Sequence, residues 1–280
     1  MSAAAEQSPY CRSPIETRGS DPLYQAVRTI VGKLSDGQSL SILDIGCSDG
    51  PAMTALQQDN HQVVGVDIDL QVLRQAKDRN AHNQIVLADA TNLPFSDQSH
   101  FDVTVALNVL EHLPKDKSEG FLRRIAAMSS HQLIAVPIIS PASVFTMRES
   151  ALALKTKLAS GQLPESGLFD RTHQLFWSMR QYEDLFRQSG LDINDRWIIN
   201  PYEGVQGGEL DIVRPDIDPK KYAAYMLATR KVIPAVLGLI DPTSTQDQRI
   251  TDASIYLALY LLSPTPSDTS GDGLAEVASS

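Results

Sequence analysis

The sequence predicts an α/β fold: a doubly wound, mostly parallel sheet with helices on both faces. Three observations carry this. Short β-rich runs alternate with helical patterns from residue 21 to residue 139. Parallel strands need such crossovers, and the crossover helices then cover both faces. The Gly-rich turn Gly46–Gly50 separates the first strand from the next helix, at the end of the sheet where such folds bind ligands. Hydrophobic residues make up 42% and charged residues 21% of 280 positions, which is a globular composition with enough chain for a real core.

The elements follow in order. Residues 1–19 mix Ala, Ser, Pro and Gly without periodicity and read as a tail, as do residues 264–280. One domain is expected over 20–263. Asp21-Pro22 reads as an N-cap with Pro at the first helical position. Leu23, Ala26, Val27, Ile30, Val31 and Leu34 then recur at helical spacing until Asp36-Gly37. Strands are expected at 39–46, 61–68, 84–89, 101–110 and 131–139, with helices at 51–58, from Asp69 onward, and at 116–129. Ser178-x-x-Gln181 forms a capping box before Tyr182, Leu185 and Phe186, and Gly190 ends that helix. Two further strands are expected at 191–199 and 253–262. Residues 140–177 and 201–250 remain as long excursions after strands five and six.

Composition narrows the function classes. Lys+Arg 24 against Asp+Glu 34 gives a net charge of −10, which weighs against a nucleic-acid groove built on phosphate neutralisation. Cys11 and Cys47 are too few for a disulfide framework and fit a reducing compartment. Met1–Tyr10 has neither a basic nor an apolar leader segment, and the apolar stretches at 232–240 and 255–262 are too short to span a bilayer. A soluble cytoplasmic protein is expected. The stretches at 232–240 and 253–262 could serve a homodimer or simply the core.

Three readings compete for the Gly-rich turn. The G-x-G-x-x-G register of a dinucleotide fingerprint is absent. Gly46-x-Ser48-x-Gly50 matches the letters of a nucleophile elbow, but that fold needs several strands before the elbow, and here a single helix precedes the first strand. The third reading is an adenosyl site. Asp67 ends the second strand, where a carboxylate can accept hydrogen bonds from both ribose hydroxyls. Asp89 ends the third, where a carboxylate with adjacent backbone N–H groups can meet an adenine edge. The plainer alternative is that Asp67 and Asp69 cap the following helix. It is preferred for Asp69, whereas the combination of strand ends favours a binding role for Asp67.

The successive segments ILDIGCSDG, VVGVDID, ADATNLPF and FDVTVALNVLEHL resemble the signatures of class I S-adenosylmethionine-dependent methyltransferases. FDRTHQLFWSMRQYEDLFRQSGLDI resembles the segment after strand five in the type 11 and ubiquinone-biosynthesis-like members. The resemblance covers roughly residues 39–200, and the final strand fits as well. It implies a Rossmann-like seven-stranded sheet with the last strand antiparallel. It implies that Asp44 and the Gly46–Gly50 backbone, including Cys47 and Ser48, hold the methionine moiety of S-adenosylmethionine, with S-adenosylhomocysteine as product. Asp67, with Ile68 beside it, would bind the ribose side. Asp89 and the Ala90 amide would bind adenine, and Asn108 would lie beside the sulfonium. The family usually has Gly where Ser48 stands, and a serine is tolerated there if it takes a negative φ.

The sulfonium already activates the methyl group, so the protein mainly positions the acceptor, a contribution of about 7–11 kcal/mol. A hydroxyl acceptor also gains roughly 10²–10⁴-fold from a general base. Among six histidines, His61, His82, His100 and His131 are expected at the periphery. His112 follows strand four, and His173 lies in the excursion that the resemblance places over the acceptor pocket. These two are the candidate bases, and a structural hydrogen bond ordering the loop with Glu111 is the alternative for His112. Glu111, Arg171, Trp177 and Tyr202 are candidate acceptor-binding residues. His and Cys spacing gives no zinc pattern, and no metal is expected. The expected activity is methyl transfer to a small molecule, through the hydroxyl oxygen of a sugar, phenol or specialised metabolite. N- or C-methylation, a non-catalytic adenosyl-binding protein of the same fold, and a Ser48 hydrolase are the alternatives.

Overall fold

In the computed structural model the chain is described at residues 22–50, 53–96, 98–138, 177, 179–200, 204–206, 210, 212–213, 245 and 257–266. The first helix, α1 (Pro22–Ser35), leads into β1 (Ser41–Ile45), α2 (Met53–Gln58), β2 (Gln62–Asp67), α3 (Leu70–Asp78) and β3 (Gln84–Leu87). Then follow β4 (Phe101–Leu107), α4 (Lys115–Met128), β5 (Ser129–Pro137), α5 (Met179–Gln188) and β6 (Leu191–Asn200). Two short strands, β7 (Gly204–Gln206) and β8 (Ile212–Val213), precede the final β9 (Leu257–Pro264).

One sheet runs in the order β3-β2-β1-β4-β5-β9-β6-β7-β8. The first five strands are parallel neighbours, and β9 is antiparallel to both β5 and β6. This is the expected seven-stranded pattern. It is extended at one edge by β7 and β8, which the sequence reading left inside the 201–250 excursion. They are two to three residues long and carry no alternation long enough to announce a strand.

Alternation along the central strands sorts side chains onto two faces. Ile42, Val63, Val103 and Val105 pack with Val27, Ile30 and Val31 of α1 and with Met53 and Leu56 of α2. Leu43, Ile45, Val66 and Ala106 face the other way, onto Phe121, Leu122 and Ile125 of α4 and Tyr182 and Phe186 of α5. The stripe read along α1 is the face that is buried, with Leu34 partly so. The expected caps at Asp21 and Ser178 lie outside the described residues.

Element ends differ by a few residues. The helix expected at 116–129 is Lys115–Met128, after Pro114, and the strand expected from 131 already begins at Ser129. The last strand reaches Pro264, and Thr265 still donates its N–H to the Gly190 carbonyl and its hydroxyl to Asp192. The sheet thus runs past the 263/264 boundary expected for the tail. At the far end from the ligand side, Asp102 of β4 accepts from both the backbone N–H and the hydroxyl of Ser41, each at 2.7 Å, and so ties β4 to β1.

Candidate functional site

The carboxyl ends of β1, β2 and β3 lie side by side, because β2 sits between the other two. The chain leaves β1 at Ile45 and turns at once, with the N–H groups of Gly46 and Cys47 both bonding the Val66 carbonyl. Gly46 has φ +67° and faces solvent; a Cβ there would stand 2.5 Å from Val109 Cγ2. This position admits only glycine, and its bare backbone is left open to a ligand.

Asp67 joins the turn to β2. Its Oδ2 accepts the Ser48 N–H and its Oδ1 accepts the Asp69 N–H, both at 2.9 Å. Burial pushes the Asp67 carboxyl up, and these two backbone bonds pull partly against that. Asp69 caps α3, accepting from Gln71 N, as expected. Asp67 does not cap the helix. It bridges two ligand-side loops and keeps spare lone pairs, since each carboxylate oxygen can accept more than one hydrogen bond. Beside it, Ile68 is 63% exposed, an apolar platform next to a carboxylate. At the end of β3, Asp89 accepts from the Thr91 N–H and hydroxyl through Oδ1. Its exposed side chain leaves Oδ2 for a ligand. Ala90 begins the 3₁₀ turn Ala90–Asn92 that follows.

Ser48 does not meet the condition stated for a serine in this turn. Its φ is +51°, in the left-handed region, not the negative φ that a serine calls for. The turn between Gly46 and Gly50 (φ +81°) requires this conformation, and the hydrogen bond from Ser48 N to Asp67 holds it.

His82 is the larger correction. From the sequence it is expected at the periphery, in the loop before β3. That loop instead folds beneath the Gly-rich turn, and the His82 side chain is wholly buried against Asp44. Its Nε2 donates to Asp44 Oδ2 at 3.0 Å. Burial raises the Asp44 carboxyl, and His82 opposes the rise. Arg79, from the same loop, forms an ion pair with the buried Asp49 and donates to its backbone carbonyl at 3.2 Å. The legible signal was Gly65, a glycine in mid-strand, which often marks a close approach by another group. Asp44, Cys47 and His82 bring an oxygen, a sulfur and a nitrogen within 4.8 Å of one another, a trio that spacing alone did not suggest. Burial and the neighbouring carboxylates raise the Cys47 thiol well above its ordinary range, so it is held as a thiol.

On the side expected to meet an acceptor the described residues are fewer. Asn108, at the end of β4, has φ +56°, is exposed, and donates its N–H to the Ala135 carbonyl. Glu111 is fully buried, and His112 lies partly exposed with Nε2 4.0 Å from Glu111 Oε1. Trp177 packs on Tyr182 with ring centroids 5.5 Å apart, and Lys115 Nζ lies 5.8 Å from its centroid. Arg171, His173 and Tyr202 lie outside the described residues.

An open backbone turn, a buried carboxylate under it, and carboxylates at two neighbouring strand ends around an apolar platform suit S-adenosylmethionine. Residues 42–131 match the family described as a methyltransferase domain. The chain is 28% identical over 141 residues to a malonyl-[acyl-carrier protein] O-methyltransferase of Pseudescherichia vulneris, covering 50% of this chain and 48% of that one. It is 32% identical over 95 residues to the 18S rRNA (guanine-N(7))-methyltransferase of Mus musculus, covering 33% and 34%. These curated relatives are thus matched over half their length or less. The fold is shared with the magnesium protoporphyrin IX methyltransferase of Synechocystis PCC 6803, solved with bound S-adenosylhomocysteine. The TM-score is 0.51 at 15% identity, over 92% of this chain and 91% of that one. The match over residues 42–131 and the sheet order together make this part of the chain similar to a methyltransferase domain of the class I, S-adenosylmethionine-dependent kind.

Proposed function

We propose that this protein transfers a methyl group from S-adenosylmethionine to the hydroxyl oxygen of a small molecule. The observation that carries the reading is the alignment of Asp44, Asp67 and Asp89 at three adjacent strand ends around the open Gly46–Gly50 turn. Asp44 and the turn would hold the methionine end, Asp67 the ribose hydroxyls beside Ile68, and Asp89 with the Ala90 amide the adenine. Bound there, S-adenosylmethionine supplies a methyl group already activated on sulfur. The chain's remaining task is to align an acceptor in line with the sulfur–carbon bond, to keep water out, and to take one proton.

Asn108 borders the place where the acceptor would sit. His112, partly exposed after β4, is a candidate to take the acceptor hydroxyl proton, and His173 is the other. An oxygen acceptor is supported by the O-methyltransferase among the relatives. The net charge of −10 weighs against RNA. The reading calls for no metal, so chelation with EDTA is expected to leave transfer unchanged.

The test is calorimetric titration of S-adenosylhomocysteine into wild type and Asp67→Ala, followed by labelled-methyl transfer to a panel of hydroxyl, amine and carbon acceptors. Binding by wild type that the substitution abolishes, with label on oxygen, is expected. No binding by wild type would overturn the adenosyl reading. Label on nitrogen or carbon alone would overturn the oxygen acceptor.

A further inference from the structure

We infer that His82 is a positioning residue for the amino-acid end of the cofactor, acting through Asp44. The inference rests on the adenosyl reading above and adds to it a residue outside the strand-end signatures.

The geometry is specific. The His82 ring lies between two glycines. A Cβ on Gly65 would stand 2.7–2.9 Å from its Cδ2, Cγ and Nε2, and one on Gly50 would stand 2.9 Å from its Cε1. Gly50 also serves a turn with φ +81°, but Gly65 sits in a regular parallel strand paired to Asp44 and Ile85. No backbone requirement explains a glycine at 65. The ring does, because glycine weakens a strand interior and is kept where another group must come close.

The loop that delivers the ring is itself fixed. Asn83 Oδ1 accepts the Val63 N–H at 2.7 Å, and Arg79 grips both the side chain and the carbonyl of Asp49. Two residues of one loop thus hold the two buried carboxylates of the Gly-rich turn, His82 on Asp44 and Arg79 on Asp49.

The hydrogen-bond pattern on Asp44 points toward a ligand. Oδ2 takes the His82 bond, and no hydrogen bond reaches Oδ1 among the described residues. The Nδ1 of His82 is buried with no partner, so the tautomer carrying hydrogen on Nε2 leaves no donor unsatisfied. His82 thereby locks the carboxylate plane and keeps its other oxygen free beneath the open turn, where an ammonium group of the cofactor's amino acid would meet it.

The experiment compares two nucleosides, S-adenosylhomocysteine and 5′-methylthioadenosine, which lacks the amino acid. Their affinities are measured by calorimetry on wild type, His82→Leu, His82→Gln and His82→Asn. Gln can place an N–H where Nε2 stands, whereas Asn is too short. His82→Leu and His82→Asn are expected to weaken S-adenosylhomocysteine by about tenfold or more, the scale of one hydrogen bond to a charged group, with methylthioadenosine little changed. His82→Gln is expected to restore most of the loss. An unchanged ratio of the two affinities in the variants would overturn the role of His82 while leaving the adenosyl site intact. If His82→Leu does not fold, the Gln and Asn pair decides by the same ratio. Wild type that binds neither nucleoside would overturn the adenosyl reading itself, and this inference with it.

Discussion

The backbone N–H of Ser48 donates to Oδ2 of Asp67 across 2.9 Å. The bond joins the turn after β1 to the end of β2, so the group expected to hold the ribose also sets the shape of the loop expected to hold the methionine. It also keeps a serine in a left-handed conformation that a side chain disfavours.

Replacing that serine should therefore help. Left-handed backbone costs a non-glycine residue about 1–2 kcal/mol, and the extra backbone entropy of glycine takes back roughly 0.5–1 kcal/mol. Ser48→Gly is expected to raise stability by about 0.5–1 kcal/mol in urea denaturation, with S-adenosylhomocysteine affinity kept or improved. A loss of stability would mean that the Ser48 side chain stabilises the turn.

Gly65 and His82 should be coupled. Gly65→Ala is expected to cost about 1–3 kcal/mol, because its Cβ meets the buried ring. In a His82→Ala background the same change should cost little or become favourable, since the ring is gone and alanine suits a strand better than glycine. A double-mutant cycle by chemical denaturation reads this directly. Additive effects would show that the ring does not dictate the glycine.

Cofactor binding should respond to acid early. Burial raises both Asp44 and Asp67; His82, Cys47 and Asp67 face Asp44, and Asp49, held by Arg79, acts on Cys47 beside it. Both carboxyls hold their protons more tightly folded than unfolded, so their contribution to stability becomes less favourable as pH rises through their range. Binding as proposed needs them ionised. The affinity for S-adenosylhomocysteine is expected to fall on acidification from above the ordinary carboxylate value of about 4. Calorimetry from neutrality downward checks this, and an affinity that holds until that value is reached would contradict it.

Asp102 should behave in the opposite sense. Burial is the largest single effect and acts to raise it, but the Ser41 hydroxyl and N–H, with His100 and His131 nearby, together hold it below its ordinary value. Its stabilising contribution is present above the unfolded pKa and is lost as pH falls through the folded one. Asp102→Asn is expected to lower stability by roughly 1 kcal/mol at neutral pH, and the difference should vanish in acid. Melting curves at several pH values test the sign.

The positions of the candidate site residues could largely be read from the sequence because they depend on strand ends. Asp44, Asp67 and Asp89 are placed by alternation and by the turns that follow them, and those patterns are local. The Asp69 cap was legible for the same reason. His82 was not, because its position depends on how a loop crosses under a neighbouring turn, and no periodicity records that. The only trace was Gly65, whose missing Cβ makes sense once the ring is in place. The conformation of Ser48 was not legible because its N–H is held by the Asp67 carboxylate, 19 residues away. The short strands β7 and β8 carry too few residues for any pattern.

The place of β9 between β5 and β6 has a consequence for biosynthesis. The edge of β5 that β9 covers carries Leu133 to Val136, apolar and fully buried in the finished sheet. During translation that edge stays uncovered until residues 138–256 have been made, on the order of ten seconds at about 5–20 residues per second. An open apolar edge invites pairing with another chain. Nascent chains arrested before residue 257 should therefore recruit chaperones or aggregate, and release of the strand Leu257–Pro264 is the step that closes the gap.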